Sequence, residues 1–134
     1  MQGALRIFPD PEALAEGAAA LIAREASAAI AARGRFTLAL AGGNTPRATY
    51  QRLAEPPLRT EIDWARVQIF YGDERCVPPD DPRSNHHMAE TTLLSRVPLP
   101  AANIHRMRGE DRPEEAAAAY TEELRACFGG SPEA

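Results

Sequence analysis

The segment RFTLALAGGNTPRATYQRL constrains the fold of this chain more than any other part of the sequence. Arg35–Leu40 is a short, β-rich apolar run of the kind found in buried strands, and Gly42 and Gly43 follow it almost at once. Beyond the glycines, Pro46–Leu53 has the composition of a helix that is entered through Thr45. The order strand, glycine loop and helix predicts one unit of an α/β fold.

The same alternation of apolar runs and helical stretches continues along the chain. An Ala-rich stretch from Glu12 to Ala32 has apolar residues at helical spacing, and Gly34 stands where a helix cap is expected. Strands separated by helices favour a Rossmann-like parallel sheet with helices on both faces and ligands at the carboxyl ends of its strands. The further predicted elements are a strand within Trp64–Tyr71, a helix from Ser84 to about Leu94, a short strand at Asn103–Met107, and a helix at Arg112–Phe128 followed by the tail GGSPEA.

Length, charge and cysteine content narrow the classes of function. The 134 residues, 44% hydrophobic and 25% charged, suit one small domain. A net charge of -4 gives no broad basic field, so nucleic acid is not an expected partner and an anionic ligand must be held by local donors. No apolar stretch approaches the roughly 20 residues that span a bilayer. Cys76 and Cys127 form no CxxC pattern, so we expect no metal site. Together these features lead us to expect a cytoplasmic protein without a membrane partner.

Ala41–Arg47, the sequence AGGNTPR, offers suitable chemistry for binding phosphate. Its two glycines can take positive φ, and Thr45 can cap a helix that has Pro46 at its first position. Backbone N–H groups would then point outward at the positive end of the helix dipole, with the Thr45 hydroxyl and Arg47 as further donors. A tight strand-to-helix turn without a ligand is the alternative. No GK[ST] or GxGxxG pattern is present, so nucleoside triphosphates and NAD(P) are not expected and no cofactor is predicted.

The segment YGDER, residues 71–75, places two carboxylates and a guanidinium directly after the second predicted strand. We expect Asp73 and Glu74 to point in different directions, one serving an active site and the other making a structural hydrogen bond or ion pair. Asp73 could orient a water or a base, and the planar fork of Arg75 suits a phosphate or a developing oxyanion. The alternative is a surface Asp–Arg pair that contributes well under ~1 kcal/mol to stability.

Three segments, LALAGGNTPRATYQRL, VQIFYGDERCVPPDDPRSN and PLPAANIHRM, together resemble the first half of the 6-phosphogluconolactonases, hydrolases of the oxidative pentose phosphate pathway. The resemblance covers nearly the whole chain, and the combination of GG-x-TP with GDER, then VP and SN, is highly specific. The wider superfamily includes glucosamine-6-phosphate deaminases, which share the GGTP loop but usually carry an M-D-E-Y type segment where GDER stands here. Arg75 therefore favours the lactonase branch.

The resemblance implies an activity and a set of site residues. The activity is hydrolysis of 6-phospho-D-glucono-1,5-lactone to 6-phospho-D-gluconate. Arg75 would contact substrate charge, and Asp73 would help to position the catalytic machinery. Asn44 and Ala41 stand where Ser is common in the family, a mild change because backbone donors do most of the binding. The residues implied to hold the 6-phosphate of the sugar are Gly42, Gly43, Asn44 and Thr45.

One family feature is missing from this sequence. The catalytic His of the family lies in a downstream G-x-D-G-H segment that the chain does not contain, and His86, His87 and His105 match no part of it and are expected to be structural. We therefore expect residues 1–134 to be the amino-terminal portion of a larger α/β domain, with little turnover alone. The alternatives are a non-catalytic phosphosugar-binding module, a half-domain that self-associates or is completed by a partner through its open sheet edge, and a deaminase-like isomerase.

Overall fold

A pair of parallel strands lies at the centre of the computed structural model, which describes residues 3–129. Strand β1 (Phe36–Leu40) pairs with β2 (Val67–Tyr71), so that the carboxyl ends of both strands meet at one edge of the sheet. This confirms the predicted α/β class and the parallel pairing. Five α-helices surround the strands in the described part of the chain. They are α1 (Pro11–Arg33), α2 (Asn44–Leu53), α3 (Leu58–Glu61), α4 (Asn85–Ala89), which continues as a π-helical turn (Glu90–Leu94), and α5 (Pro113–Phe128).

Helix α1 begins and ends at residues that the sequence makes recognisable. The Asp10 carboxylate accepts a hydrogen bond from the Ala13 N–H at 2.8 Å, and Gly34 ends the helix with a φ of 81°. One face of α1 is lined by small side chains, which let the helix lie close to its neighbours. The buried residues of this face are Ala15, Ala19, Ala23, Ala26 and Ala29. None of the helices within residues 3–129 is long and apolar enough to cross a membrane.

Helices cover both faces of the strand pair. Ile69 and Tyr71 of β2 point into a buried cluster that includes side chains of α1, α2 and the π-helical turn. Phe70 faces the opposite side, where its ring lies 6.3 Å from the ring of Tyr120 and 5.3 Å from that of Phe128, both in α5. The chain therefore forms a three-layer α/β arrangement, as the alternation of strands and helices predicts.

Helix α2 begins earlier than predicted. The expectation that Thr45 caps the helix is wrong, because Gly43 is the N-cap and Asn44 and Thr45 already lie in the first turn. Gly43 adopts a φ of 106°, which only glycine takes without strain, and its carbonyl accepts a hydrogen bond from the Arg47 N–H at 3.1 Å. Pro46 is thus the third helical residue, where its missing N–H is still not needed for the helix.

The strand predicted at Asn103–Met107 is much shorter in the structure. Within the described residues, Ile104 alone forms a bridge, parallel to Ile69 of β2. Pairing does not continue because the next residue of β2 on that edge, Tyr71, has its N–H and its carbonyl hydrogen-bonded to the Tyr120 hydroxyl. A side chain from α5 therefore takes the place of a continuing strand. The last five residues of the predicted tail GGSPEA, 130–134, lie outside the described part of the chain.

Candidate functional site

The glycine loop, Ala41–Arg47, leaves the carboxyl end of β1 and leads directly into α2. Within residues 3–129, the backbone N–H groups of residues 42–45 donate to no protein acceptor. Free N–H groups at the start of a helix, together with the helix dipole, attract an anion. The side chains of the loop that were predicted to assist, those of Asn44, Thr45 and Arg47, are all exposed to solvent around these donors.

Gly42 is required by close packing rather than by an unusual backbone angle. A Cβ placed on Gly42 would collide with the side-chain amide of Asn85, whose Oδ1 and Cγ lie against the glycine. Asn85 is the first residue of α4 and is only 6% exposed. The glycine loop therefore rests directly on the start of α4.

The same Asn85 side chain also contacts the GDER loop. Its Nδ2 donates to Asp73 Oδ1 at 3.0 Å and to the Asp73 backbone carbonyl at 3.2 Å. One buried amide thus joins the loop that follows β1 to the loop that follows β2. Asn85 is not among the site residues that the sequence predicts. The only signal for it was the SN pair that follows GDER in the family resemblance.

Glu74 has a structural role at the start of α4. Its carboxylate accepts hydrogen bonds from the N–H groups of Asn85 at 2.6 Å and His86 at 3.0 Å, and from the Ser84 hydroxyl at 2.8 Å. It also accepts one from the Arg75 N–H at 2.8 Å. Partial burial by itself raises the pKa of Glu74, but these hydrogen bonds outweigh it and lower the pKa below the usual value of 4.5. Both carboxylate oxygens of Glu74 are therefore engaged in structural hydrogen bonds, whereas within the described residues the Asp73 carboxylate accepts one, from Asn85.

Arg75 lies exposed beside a cavity between the GDER loop, the 107–111 turn and α5. Within residues 3–129 its guanidinium makes no hydrogen bond or ion pair. The cavity has a volume of about 370 Å³, and Arg75, Met107, Arg108 and Tyr120 are among its lining residues. Gly109 packs so tightly on the backbone carbonyls of Arg75 and of Val77 that no Cβ would fit there. The 107–111 turn thus supports the backbone that carries Arg75.

Two of the three histidines have structural partners. His86 Nδ1 lies 2.6 Å from the Tyr71 hydroxyl, and burial lowers the pKa of His86 below 6.5. His105 Nδ1 lies 2.8 Å from Glu123 Oε2, its Nε2 lies 2.7 Å from Gln68, and its ring stacks on Phe70. These contacts agree with the expectation that both are structural.

The two loops lie at the carboxyl ends of adjacent parallel strands, and one of them presents unpaired N–H groups at a helix start. This arrangement defines an α/β domain with a candidate anion site at the edge of its sheet. The sequence model of the glucosamine-6-phosphate isomerases/6-phosphogluconolactonase family matches residues 9–134. The chain belongs to this family.

Relatives named 6-phosphogluconolactonase cover most of the chain. The protein from a Nostoc strain is 40% identical over 133 residues, which are 98% of this chain and 54% of the relative. The Treponema pallidum protein is 45% identical over 89 residues, 66% of this chain and 36% of the relative. The chain thus spans about half the length of the Nostoc relative, or less in the other case.

Solved structures show the same fold. The crystal structure of a devB protein superposes with a TM-score of 0.84 at 31% identity, over 95% of this chain and 52% of the other. The 6-phosphogluconolactonase from Thermotoga maritima gives a TM-score of 0.82 at 28% identity, over 92% and 54%. A monomeric glucosamine-6-phosphate deaminase, at 19% identity and a TM-score of 0.73, shares the fold.

Proposed function

We propose that this chain is the amino-terminal portion of a cytoplasmic 6-phosphogluconolactonase, which hydrolyses 6-phospho-D-glucono-1,5-lactone to 6-phospho-D-gluconate. The observation that carries the proposal is the contact of Asn85 with both Gly42 and Asp73, which brings the glycine loop and the GDER loop together at one edge of the sheet. Relatives of the same name over most of the chain support the choice of reaction.

The 6-phosphate of the substrate is assigned to the glycine loop. The N–H groups of Gly42, Gly43, Asn44 and Thr45 are free to donate to phosphate oxygens, as they have no protein acceptor within residues 3–129. The Thr45 hydroxyl and the Arg47 guanidinium are exposed beside them and supply further donors. Because the phosphate is not part of the bond that breaks, these contacts hold the sugar in place while the lactone reacts elsewhere.

The lactone end is assigned to the GDER loop. Water attacks the lactone carbonyl carbon, the carbonyl oxygen becomes an oxyanion, and the ring C–O bond then breaks to give the carboxylate and a hydroxyl. Arg75 can stabilise that oxyanion, because its exposed guanidinium has no competing partner in the described residues. Asp73 orients the water or the base that accepts its proton. We propose that the base comes from outside residues 1–134, because the G-x-D-G-H segment that carries the catalytic His of the family is absent from them and His86 and His105 are engaged elsewhere.

A comparison of lactones with and without the phosphate tests this proposal in the protein as its gene encodes it. We expect hydrolysis of 6-phosphogluconolactone and a much lower kcat/KM for unphosphorylated gluconolactone, because only the former engages the glycine loop. Equal rates with both lactones would contradict the phosphate assignment. Release of ammonia from glucosamine 6-phosphate, without lactone hydrolysis, would favour the isomerase alternative. The presence of Arg75 in GDER makes that outcome unexpected.

The second candidate is a non-catalytic phosphosugar-binding half-domain that self-associates or pairs with another chain. It is favoured by β1, which is hydrogen-bonded to β2 on one side only within the described residues. Leu124 and Phe128 of α5 add exposed apolar surface near that strand. For this candidate, residues 1–134 should bind 6-phosphogluconate without turnover and should sediment as an assembly. A monomer that hydrolyses the lactone would exclude it.

A further inference from the structure

The hydroxyl of Tyr50 closes the beginning of the glycine loop. Tyr50 lies in α2 and is 4% exposed. Its hydroxyl oxygen accepts a hydrogen bond from the Ala41 N–H at 2.8 Å, and the same hydroxyl donates to the Ala41 carbonyl at 3.0 Å. One side chain therefore satisfies both backbone groups of the residue that follows β1.

Tyr120 makes the same pair of hydrogen bonds at the end of β2. Its hydroxyl accepts from the Tyr71 N–H at 2.9 Å and donates to the Tyr71 carbonyl at 3.0 Å. Tyr120 comes from α5, on the opposite face of the sheet from α2. Two helices on two faces thus provide the same chemical group at the carboxyl ends of adjacent strands.

A tyrosine hydroxyl can satisfy the backbone groups that a neighbouring strand would otherwise pair with, because it donates one hydrogen bond and can also accept one. In a parallel sheet, alternate residues of a strand hydrogen-bond to opposite neighbours. The Leu40 carbonyl accepts from the Gly72 N–H at 2.9 Å, so Ala41 faces away from β2, toward the open edge of β1. The Tyr50 hydroxyl occupies that edge position, and strand pairing ends where the loop begins.

Both hydroxyls are in the protonated form that these contacts need. Burial raises the pKa of Tyr50 and that of Tyr120, although the hydrogen bond from the backbone partly offsets the effect in each. Each tyrosine therefore stays protonated at neutral pH and can donate to a carbonyl while it accepts from an N–H.

We propose that Tyr50 and Tyr120 are positioning residues for the two loops of the candidate site. Tyr50 holds Ala41, and so sets where the free N–H groups of the glycine loop begin. Tyr120 holds Tyr71, and so sets the direction in which the chain leaves β2 toward Arg75. The effect of Tyr50 is on phosphate binding and that of Tyr120 is on the lactone end. Both effects on the reaction rest on the proposed lactonase function.

Tyr50→Phe and Tyr120→Phe, made in the protein as its gene encodes it, test the proposal. Each removes one hydroxyl and keeps the ring. Tyr50→Phe should speed hydrogen exchange at the Ala41 amide and raise the KM for lactone and the Kd for 6-phosphogluconate about five- to tenfold, with little change in kcat. Tyr120→Phe should speed exchange at the Tyr71 amide and lower kcat by a similar factor, with little change in Kd.

Thr92→Val is the matched control, because the buried Thr92 hydroxyl donates to the Met88 carbonyl at 2.7 Å and makes no hydrogen bond to either loop within residues 3–129. It should lower stability without a KM or kcat effect. The positioning role is overturned if each Phe variant changes exchange and kinetics no more than Thr92→Val does. If the wild-type protein neither binds 6-phosphogluconate nor hydrolyses the lactone, the proposed function fails, and exchange at Ala41 and Tyr71 alone decides the positioning role.

Discussion

Asn85 holds Asp73 through two hydrogen bonds from a single amide nitrogen, at 3.0 Å to the carboxylate and 3.2 Å to the backbone carbonyl. The oxygen of the same amide lies against Gly42 in the other loop. Because Asn85 is buried and is held in turn by Glu74 through its backbone N–H, the two loops share one rigid support.

Asn85→Ala should weaken binding of 6-phosphogluconate about tenfold and lower the free energy of unfolding by about 1 to 3 kcal/mol. The reason is that Asp73 loses its amide donor and the glycine loop loses its support. Titration calorimetry and urea unfolding measure the two effects. Asn103→Ala is the control, since the Asn103 amide donates to the Ala65 carbonyl at 3.1 Å far from either loop. Equal affinities of both variants would contradict the role of Asn85.

Gly42→Ala should weaken ligand binding because its new methyl group collides with the Asn85 amide. We expect overpacking to cost about 1 to 3 kcal/mol in stability. The cost should be smaller when the Asn85 side chain is also truncated to Ala, so a double-mutant cycle should show coupling between the two sites. Gly17→Ala is a control for overpacking without an effect on binding, because a Cβ on Gly17 of α1 would lie 2.5 Å from the ring of Phe8, which precedes the helix. Strict additivity of the Gly42 and Asn85 changes would argue against their contact.

Arg75→Ala should lower kcat/KM for the lactone by about 100- to 1,000-fold, the usual loss when an oxyanion donor is removed. Arg75→Lys keeps the charge but not the planar fork, so we expect it to recover activity only in part. Steady-state kinetics with each variant give the result. The control is Arg83→Ala, which removes an exposed guanidinium that pairs with Asp81 at 3.0 Å. Full activity of Arg75→Ala would remove the assigned role.

Glu74→Gln should make stability less dependent on acid pH. Since the folded-state pKa of Glu74 lies below 4.5, its ionised form stabilises the fold fully above pH 4.5, and this contribution is lost as the pH falls through the folded-state pKa. Urea unfolding between about pH 3 and pH 7 should therefore show wild type and variant converging at the acid end. Glu25→Gln, which removes a carboxylate from the exposed side of α1, is the control for the loss of one negative charge. Parallel curves for Glu74→Gln and wild type would contradict the prediction.

His86 should titrate below pH 6.5, with its proton on Nε2 when neutral. Burial raises the pKa of Tyr71, so its hydroxyl keeps its proton, and we expect it to donate to His86 Nδ1, which lies 2.6 Å away. Since the unfolded chain binds a proton more readily at this site, His86 makes the fold less stable as the pH falls below 6.5. Nitrogen NMR of the imidazole reports both the tautomer and the pKa. A neutral ring protonated on Nδ1 would show that the hydrogen bond runs the other way.

Local sequence signals were sufficient for much of the fold. Gly34 predicts the end of α1 from local sequence alone, and the apolar runs predict β1 and β2 because such runs form buried strands. The glycine loop was recognised as a helix entry, although its cap is Gly43 rather than Thr45. A glycine can cap a helix through its backbone alone, which leaves no side-chain signal to read.

The remaining features depend on contacts between distant parts of the chain. Asn85 looks like an ordinary first residue of a helix, and only the packed structure brings its amide to Asp73 and Gly42. The strand predicted beyond Ile104 has a suitable local pattern, yet Tyr120, from a helix later in the sequence, occupies the groups with which it would pair. Sequence patterns describe what a segment can form, whereas competition for a partner is settled by tertiary structure.

The Tyr50 hydroxyl has a consequence for any strand that adds to the free side of β1. The backbone groups of Thr37 and Ala39 face this side, because the residues next to them in β1 hydrogen-bond to β2. The next residue on the same side is Ala41, whose N–H and carbonyl are already hydrogen-bonded to the Tyr50 hydroxyl. An incoming strand can therefore extend its ladder only as far as Ala39. The tyrosine therefore limits the length of any added ladder and keeps the incoming strand from pairing into the glycine loop.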